Sequence, residues 1–136
     1  MVVKVLDSTA LMAFFEDEPG ADLVRGLILK AEDGSVKLLM SVVNLGEVWY
    51  SIARTTTPET ADQTIHEIEG MAIEIVNADW AITRQASAFK ANGNIAYGDC
   101  FAAALAKDRK AELITGDKEF ETLEGEIKIT WLKSSY

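Results

Sequence analysis

Short runs of β-branched and apolar residues alternate with helical patterns along the whole chain, and this alternation limits the fold more than any other feature. Parallel strands need crossover connections, commonly helices, so strands separated by helices indicate a parallel sheet covered on both faces. No linker, repeat or low-complexity segment divides the chain. We therefore predict a single three-layer α/β/α domain over residues 1–136, with a parallel sheet of five strands: Val2–Leu6, Val36–Met40, Ile73–Val76, Glu112–Thr115 and Ile127–Leu132.

The segments between these strands carry the signals of helices. Apolar residues recur at helical spacing, residues that cap helix starts precede them, and glycines follow. The predicted helices are Gly20–Asp33, a helix that begins after Ser41, Thr57–Gly70, Asp79–Ala91 and the alanine-rich Asp99–Arg109.

The balance of charge is strongly acidic. The 136 residues include 22 acidic and 13 basic side chains, a formal charge of −9. This composition excludes a nucleic-acid binder that is basic over its whole surface. It does not exclude a small basic face, or a cation held by the carboxylates themselves.

The N-terminus is apolar but does not have the pattern of a secretory signal. Asp7 interrupts the apolar run from Met1 to Phe15, and the acidic segment 16–18 closes it. Cys100 is the single cysteine, so no intramolecular disulfide forms. No apolar run approaches the roughly 20 residues that span a bilayer. We expect a soluble, cytoplasmic protein.

Four acidic residues occupy positions where α/β proteins bind ligands, outside the carboxyl ends of the strands. Asp7 directly follows the first strand, and Asp117 follows the fourth strand after one glycine. Asp99 lies at the start of a helix. Glu47 lies on the helix after Ser41, one turn beyond Asn44 and on the same face.

Each of these acids alone has an ordinary structural explanation, as a helix cap, a turn residue or a solvated helix face. Asp7 is the least ordinary, because it interrupts an apolar stretch. If all four converge at one end of the sheet, their mutual repulsion destabilises the site unless a cation neutralises it. Carboxylates and water are the ligands that Mg²⁺ and Mn²⁺ prefer.

A carboxylate-held Mg²⁺ lowers the pKa of a bound water and offsets charge on a phosphoryl oxygen, so it suits hydrolysis of a phosphodiester. Other chemistries have few candidate residues here. His66 is the single histidine and lies on the polar side of its helix, and Cys100 lies in a core-facing helix with no evident partner. Neither standard phosphate-binding glycine loop is present.

At these acids the sequence resembles the PIN-domain family, and most closely the VapC-type toxin ribonucleases of toxin–antitoxin pairs. The resemblance covers essentially the whole chain, in order and at family-like spacing. Four segments carry it: Val5-Leu6-Asp7-Ser8, Val43-Asn44-Leu45-Gly46-Glu47, Tyr97-Gly98-Asp99-Cys100-Phe101-Ala102-Ala103-Ala104 and Thr115-Gly116-Asp117-Lys118-Glu119-Phe120.

The resemblance implies a PIN-like fold and a Mg²⁺- or Mn²⁺-dependent endoribonuclease, often a homodimer, silenced by a cognate VapB-like antitoxin that binds across the active-site groove. By matching position it implies that Asp7 and Asp99 are the main metal ligands. Glu47 joins them directly or through water, and Asp117 binds a second ion or positions water. It further implies that nearby polar side chains orient the carboxylates, and these are Ser8, Asn44 and Thr115.

Basic residues near the predicted site are few. Arg54 lies two turns after Glu47 on the same helix face, and Lys118 adjoins Asp117. We predict that Arg54 and Lys118 contact phosphates of the RNA substrate; the alternative is that both are solvated helix residues.

Two other classes of function compete with the nuclease. One is a PIN-like RNA-binding or protein-interaction module without catalysis, which the presence of all four acids disfavours. The other is a different Mg²⁺-dependent phosphotransfer domain. A haloacid-dehalogenase-type phosphatase requires Asp-x-Asp after the first strand, where this chain has Asp7-Ser8-Thr9, and a response-regulator receiver requires a late lysine that Lys118 matches poorly.

Overall fold

A computed structural model describes residues 1–133. Strands and helices alternate in the order β1, α1, α2, β2, α3, α4, β3, α5, α6, β4, a 3₁₀ helix and β5. The strands are β1 Val2–Leu6, β2 Val36–Ser41, β3 Ile73–Val76, β4 Glu112–Thr115 and β5 Ile129–Trp131. The helices are α1 Ser8–Phe15, α2 Ala21–Glu32, α3 Val42–Thr55, α4 Pro58–Glu69, α5 Trp80–Ala91, α6 Tyr97–Arg109 and the 3₁₀ helix Lys118–Leu123.

The five strands form one parallel sheet in the order β3-β2-β1-β4-β5. Because β1 lies at the centre and the chain moves outward first to one side and then to the other, the carboxyl ends of β1 and β4 are neighbours. Leu6 pairs with Ile114, so Asp7 and Thr115 begin the same edge of the sheet. This edge is where the sequence predicts a ligand site.

The buried residues form two clusters, one on each face of the sheet. Alternate strand residues point to opposite faces, so Val5 and Leu113 pack under α5 and α6, whereas Leu6 and Ile114 pack under α1 to α4. The alternation confirms the predicted three-layer arrangement. Within residues 1–133, no helix has both the length and the apolarity to cross a membrane.

The 3₁₀ helix Lys118–Leu123 was not predicted, and three further elements differ from the predictions by more than a one-residue shift of a boundary. Helix α1, Ser8–Phe15, was not predicted. Helix α6 begins at Tyr97, two residues before Asp99, because the chain turns from an extended conformation at Ala96. Strand β5 is shorter than predicted, because the backbone N–H of Ile127 donates to the carbonyl of Leu123 and continues the preceding turn.

Two residues have the predicted ordinary environments. His66 is exposed near the end of α4, and Cys100 is fully buried in α6. Neither side chain lies among the acids at the carboxyl edge, so neither supplies an acid–base or nucleophilic group there.

Candidate functional site

Asp7 lies at the junction between β1 and α1 and is fully buried. It caps α1, since its Oδ1 accepts the backbone N–H of Ala10 at 3.0 Å. The Thr9 hydroxyl donates to Oδ1 at 2.7 Å, and the Thr115 hydroxyl donates to Oδ2 at 2.5 Å. Burial raises the pKa of Asp7 to about 6 although these donors favour the charged form, and the charge of Asp117 raises it further.

Asp99 lies in the first turn of α6 and is almost fully buried among other acids. Carboxylate oxygens of Asp99, Asp117 and Glu119 lie within 4.8 Å of one another. The pKa of Asp99 is raised to about 9, and burial is the largest cause. A hydrogen bond with Asp117 and the negative charges of Asp117, Asp7 and Glu47 raise it as well. Three of the four acids predicted from the sequence therefore act on the carboxyl group of the fourth, Asp99.

Glu47 is positioned by its helix neighbour Asn44. The Asn44 amide nitrogen donates to Glu47 Oε1 at 2.7 Å and to the Gly98 carbonyl at 3.0 Å, so it connects α3 to the start of α6. Asn44 is fully buried, and its Oδ1 has no hydrogen-bond partner among residues 1–133. An unpaired buried amide oxygen is costly and adds one more acceptor to the region of the acids.

Gly98 allows the carboxylate of Glu47 to approach the backbone of α6. A Cβ at position 98 lies 2.8 Å from Glu47 Cδ, closer than side chains pack. The obstructing atoms belong to the end of a flexible side chain, so a larger residue displaces the Glu47 carboxylate more readily than it disrupts the helix.

We expect Gly98→Ala to weaken Mn²⁺ binding about tenfold with little change in Tm, because the displaced Glu47 no longer faces Asp99. Gly46→Ala in α3 is the matched control, since no atom lies within 4 Å of the added methyl group. Titration calorimetry with Mn²⁺ and thermal unfolding measure the two effects. Equal Mn²⁺ affinities in the two variants contradict the positioning role of Gly98.

Among the described residues, no basic side chain forms an ion pair with these acids. Within residues 1–133, the ion pairs involve other side chains, and the donors to Asp7 and Glu47 are hydroxyl, amide and backbone groups. Oxygen donors with excess negative charge, partly removed from water, fit a hard divalent cation such as Mg²⁺ or Mn²⁺. The residues that could hold it are Asp7, Glu47, Asp99, Asp117 and Glu119.

The structure brings together two of the three predicted orienting side chains. Thr115 binds Asp7, and Asn44 binds Glu47. Ser8 is half-buried and makes no side-chain hydrogen bond among the described residues; Thr9 binds Asp7 instead and accepts the backbone N–H of Gly116 at 3.0 Å. Thr9 was not among the predicted site residues, although it lies two residues after Asp7.

Glu119 was also missed. It follows Asp117 by two residues in the 3₁₀ helix, where Asp117 Oδ1 caps the helix by accepting the Glu119 backbone N–H at 2.9 Å. This turn directs the exposed Glu119 carboxylate back to Asp99 and Asp117. The only sequence signal was an acid two positions from a predicted ligand.

The two predicted phosphate contacts are both exposed. The Arg54 guanidinium lies 5.2 Å from the centre of the Tyr50 ring, in the last turn of α3. Lys118 lines a cleft of about 400 Å³ that reaches Thr9 and Gly116 beside Asp7. Neither basic side chain forms an ion pair within residues 1–133.

The family model of the PIN domain matches residues 4–126 of the chain. No curated protein sequence matches it significantly. Among solved structures, the chain is similar to VapBC of Salmonella typhimurium bound to DNA, with a TM-score of 0.75 and 17% identity over 96% of this chain and 98% of that one. The chain is also similar to VapBC2 of Rickettsia felis bound to a promoter DNA fragment, with a TM-score of 0.73 and 17% identity over 97% of this chain and 100% of that one.

A third similar structure is VapC20 of Mycobacterium tuberculosis, described as a toxin that cleaves the sarcin–ricin loop. Its TM-score is 0.68 at 12% identity, over 88% of this chain and 94% of that one. At these identities the likeness is one of fold, and it extends over nearly the full length of each chain.

Proposed function

The chain belongs to the PIN-domain family, and from that premise we propose that it is a Mg²⁺- or Mn²⁺-dependent endoribonuclease, the toxin of a type II toxin–antitoxin pair. One observation carries the proposal: carboxylate oxygens of Asp99, Asp117 and Glu119 lie within 4.8 Å of one another at the carboxyl edge, and none of the three forms an ion pair within residues 1–133. The charges of Asp7 and Glu47 also act on Asp99 and raise its pKa. A cation is the simplest group that stabilises such a cluster. The fold shared with VapC20, a toxin that cleaves RNA, supports the choice of substrate.

In this proposal Asp7 and Asp99 are the firmest cation ligands, Glu47 binds directly or through water, and Asp117 with Glu119 serves a second ion or positions water. A bound divalent cation supplies Lewis acidity, which activates water and offsets charge on the phosphate. The carboxyl groups of Asp7 and Asp99 have raised pKa values in the free protein, so they hold protons at a higher pH than usual. A divalent cation would bind their ionised forms, so its binding would be accompanied by release of these protons.

The remaining polar groups hold these carboxylates in place. The Thr9 hydroxyl holds Asp7 Oδ1 and the neighbouring Thr115 hydroxyl holds Oδ2, and Asn44 holds Glu47 against α6. Such hydrogen bonds orient ligands before a cation arrives, so less ordering is needed when it binds.

We propose a VapB-like antitoxin as the partner, because the solved relatives include VapBC complexes. The exposed acidic segment 16–18 offers negative charge to a basic segment of such a partner. A homodimer, a cytoplasmic location and function as a single domain over residues 1–136 belong to the same proposal.

The test is cleavage of total RNA by the purified chain in EDTA, Mg²⁺ or Mn²⁺. We expect cleavage only with a divalent cation, and its loss in Asp7→Asn, which keeps an acceptor for the Ala10 N–H and so preserves the start of α1. Equal cleavage by native and Asp7→Asn chains contradicts the catalytic assignment. Binding of RNA without cleavage in any cation favours the non-catalytic module.

Arg54 and Lys118 are proposed to contact substrate phosphates. Each phosphate contact adds to the salt dependence of binding, so Arg54→Gln with Lys118→Gln is expected to weaken RNA binding several-fold and to reduce the slope of log K against log salt by about 1 to 2. Arg25→Gln is the control, because Arg25 pairs with Asp22 on α2. An unchanged slope in the double variant excludes these contacts.

A further inference from the structure

Tyr97 is an aromatic side chain that is held in place although it is 46% exposed. Its hydroxyl lies 3.0 Å from the Ser87 hydroxyl on α5. Its ring packs edge-on against buried Phe101, with 5.0 Å between ring centres and 76° between planes. Both ends of the ring are therefore fixed before any ligand binds, while one part of it faces solvent.

The position of Tyr97 relates it to the acids. It is the first residue of α6 and precedes Gly98, which contacts Glu47, and Asp99. Two residues advance a helix by about 3 Å along its axis. The backbone of Tyr97 therefore lies in the same helical turn as Asp99, but the two side chains point about 200° apart, so the ring faces α5 and the acid faces the sheet edge.

Trp80 extends this aromatic surface. It is 71% exposed, the most exposed aromatic side chain among residues 1–133. It begins α5, four residues after β3 ends at Val76, so its backbone lies within about 13 Å of the carboxyl end of β3. β3 is an outer strand of the sheet, with β2 between it and β1. Burial in the core of one chain does not explain this side chain.

Arg84 and Ser87 follow Trp80 at helical spacing, at intervals of four and three residues, so the three share a face of α5. Arg84 is exposed and forms no ion pair among the described residues. The face thus presents an exposed ring, an unpaired guanidinium and the hydroxyl that holds Tyr97.

We propose that Trp80, Arg84 and Tyr97 form a stacking surface for an unpaired stretch of the RNA substrate, on the α5–α6 side of the proposed site, an inference that rests on the proposed function. Aromatic rings stack on any base, and arginine binds phosphate, so together they bind single strands without reading sequence. This surface answers the difficulty posed by the charge of −9, since stacking does not depend on net positive charge. Paired bases already stack on each other within the duplex, so they gain little from contact with the aromatic rings.

The test measures binding of a labelled, unstructured 12-nucleotide RNA to the full chain in EDTA at low salt, where no cation-dependent cleavage occurs. Stacking is worth about 1–3 kcal/mol per base, so Tyr97→Ala and Trp80→Ala are each expected to raise Kd roughly tenfold. Tyr97→Phe and Trp80→Phe keep a ring and are expected to stay within about threefold of native. The same RNA annealed to its complement is expected to bind all variants alike.

Leu29→Ala is the control for loss of an exposed apolar side chain, since Leu29 is 58% exposed on α2. Unchanged Kd values in both alanine variants overturn the inference, as does a native chain that does not bind unpaired RNA. Loss of a dimer in Trp80→Ala by light scattering, with RNA affinity unchanged, assigns this face to a second copy and overturns it too.

The result separates this inference from the proposed function. Cation-dependent cleavage with unchanged affinities in the alanine variants removes the stacking surface alone. Weakened binding of unpaired RNA in those variants, without cleavage in any cation, supports the stacking surface and removes the nuclease.

Discussion

Replacing Asp99 by asparagine is expected to lower cation-dependent RNA cleavage by roughly 100-fold or more, while raising the Tm of the cation-free chain by several degrees. Activity falls because the amide cannot supply the negative charge on which cation binding and the transition state depend. Stability rises because the pKa of Asp99 is about 9 in the folded chain, so at neutral pH folding requires Asp99 to take up a proton, which costs free energy. A neutral asparagine removes this cost and therefore raises Tm.

Asp108→Asn is the matched control, because Asp108 lies on the same helix, is half-exposed and has Arg109 beside it at 3.4 Å. We expect it to change neither cleavage nor Tm. Cleavage assays in Mg²⁺ and thermal unfolding in EDTA measure the two properties on the same preparations. An Asp99→Asn chain that loses both activity and stability indicates a structural role for Asp99, and contradicts the interpretation of the site as a cluster of repelling charges.

The cation-free chain is expected to lose stability as pH rises from about 4 to 9. The pKa of Asp7 is about 6 and that of Asp99 about 9 in the folded chain, both above the ordinary 3.8. For each group, between pH 3.8 and its raised pKa, the folded state binds more protons than the unfolded state, so the free energy of unfolding falls as pH rises. The stability is fully present below about pH 4 for these two groups, and is lost as pH rises through 6 and then 9.

Asp7 alone is expected to lower the free energy of unfolding by about 3 kcal/mol over this pH range, which corresponds to several degrees in Tm. Thermal unfolding in EDTA at half-unit steps of pH measures it. In Asp99→Asn we expect the upper part of the decline to disappear. Addition of Mg²⁺ is expected to raise Tm most at high pH, because cation binding requires the ionised carboxylates. A Tm that rises with pH in EDTA contradicts the assigned pKa directions.

The strands and most helices were predictable because their signals are local. Helix α1 was not, since Ser8–Phe15 continues the apolar run of β1 with little polar interruption and shows no clear periodicity. The information that separates the two elements is the capping hydrogen bond from the Ala10 N–H to Asp7. The sequence predicted Asp7 as a metal ligand, but not its second role as the N-cap of α1.

The convergence of the acids followed from topology, but their detailed contacts did not. Parallel strands bring Asp7 and Asp117 to one edge whatever the side-chain rotamers are. Whether Ser8 or Thr9 binds Asp7 depends on the rotation of the first helical turn, since successive residues point about 100° apart. The approach of Glu119 depends on the 3₁₀ turn after Asp117, which has no periodic apolar signal.

The double role of Asp7 affects which mutations can silence the protein while leaving it folded. Most substitutions of Asp7, unlike the conservative Asp7→Asn, remove the cap of α1 and leave the buried hydroxyl of Thr115 without its acceptor, so activity and folding are lost together. Glu47 and Asp117 are half-buried and their structural roles are smaller: Asp117 caps only the short 3₁₀ helix, and without Glu47 the Asn44 amide still donates to the Gly98 carbonyl. An inherited copy that is inactive but intact, and still able to occupy a partner, therefore arises more readily through Glu47 or Asp117 than through Asp7.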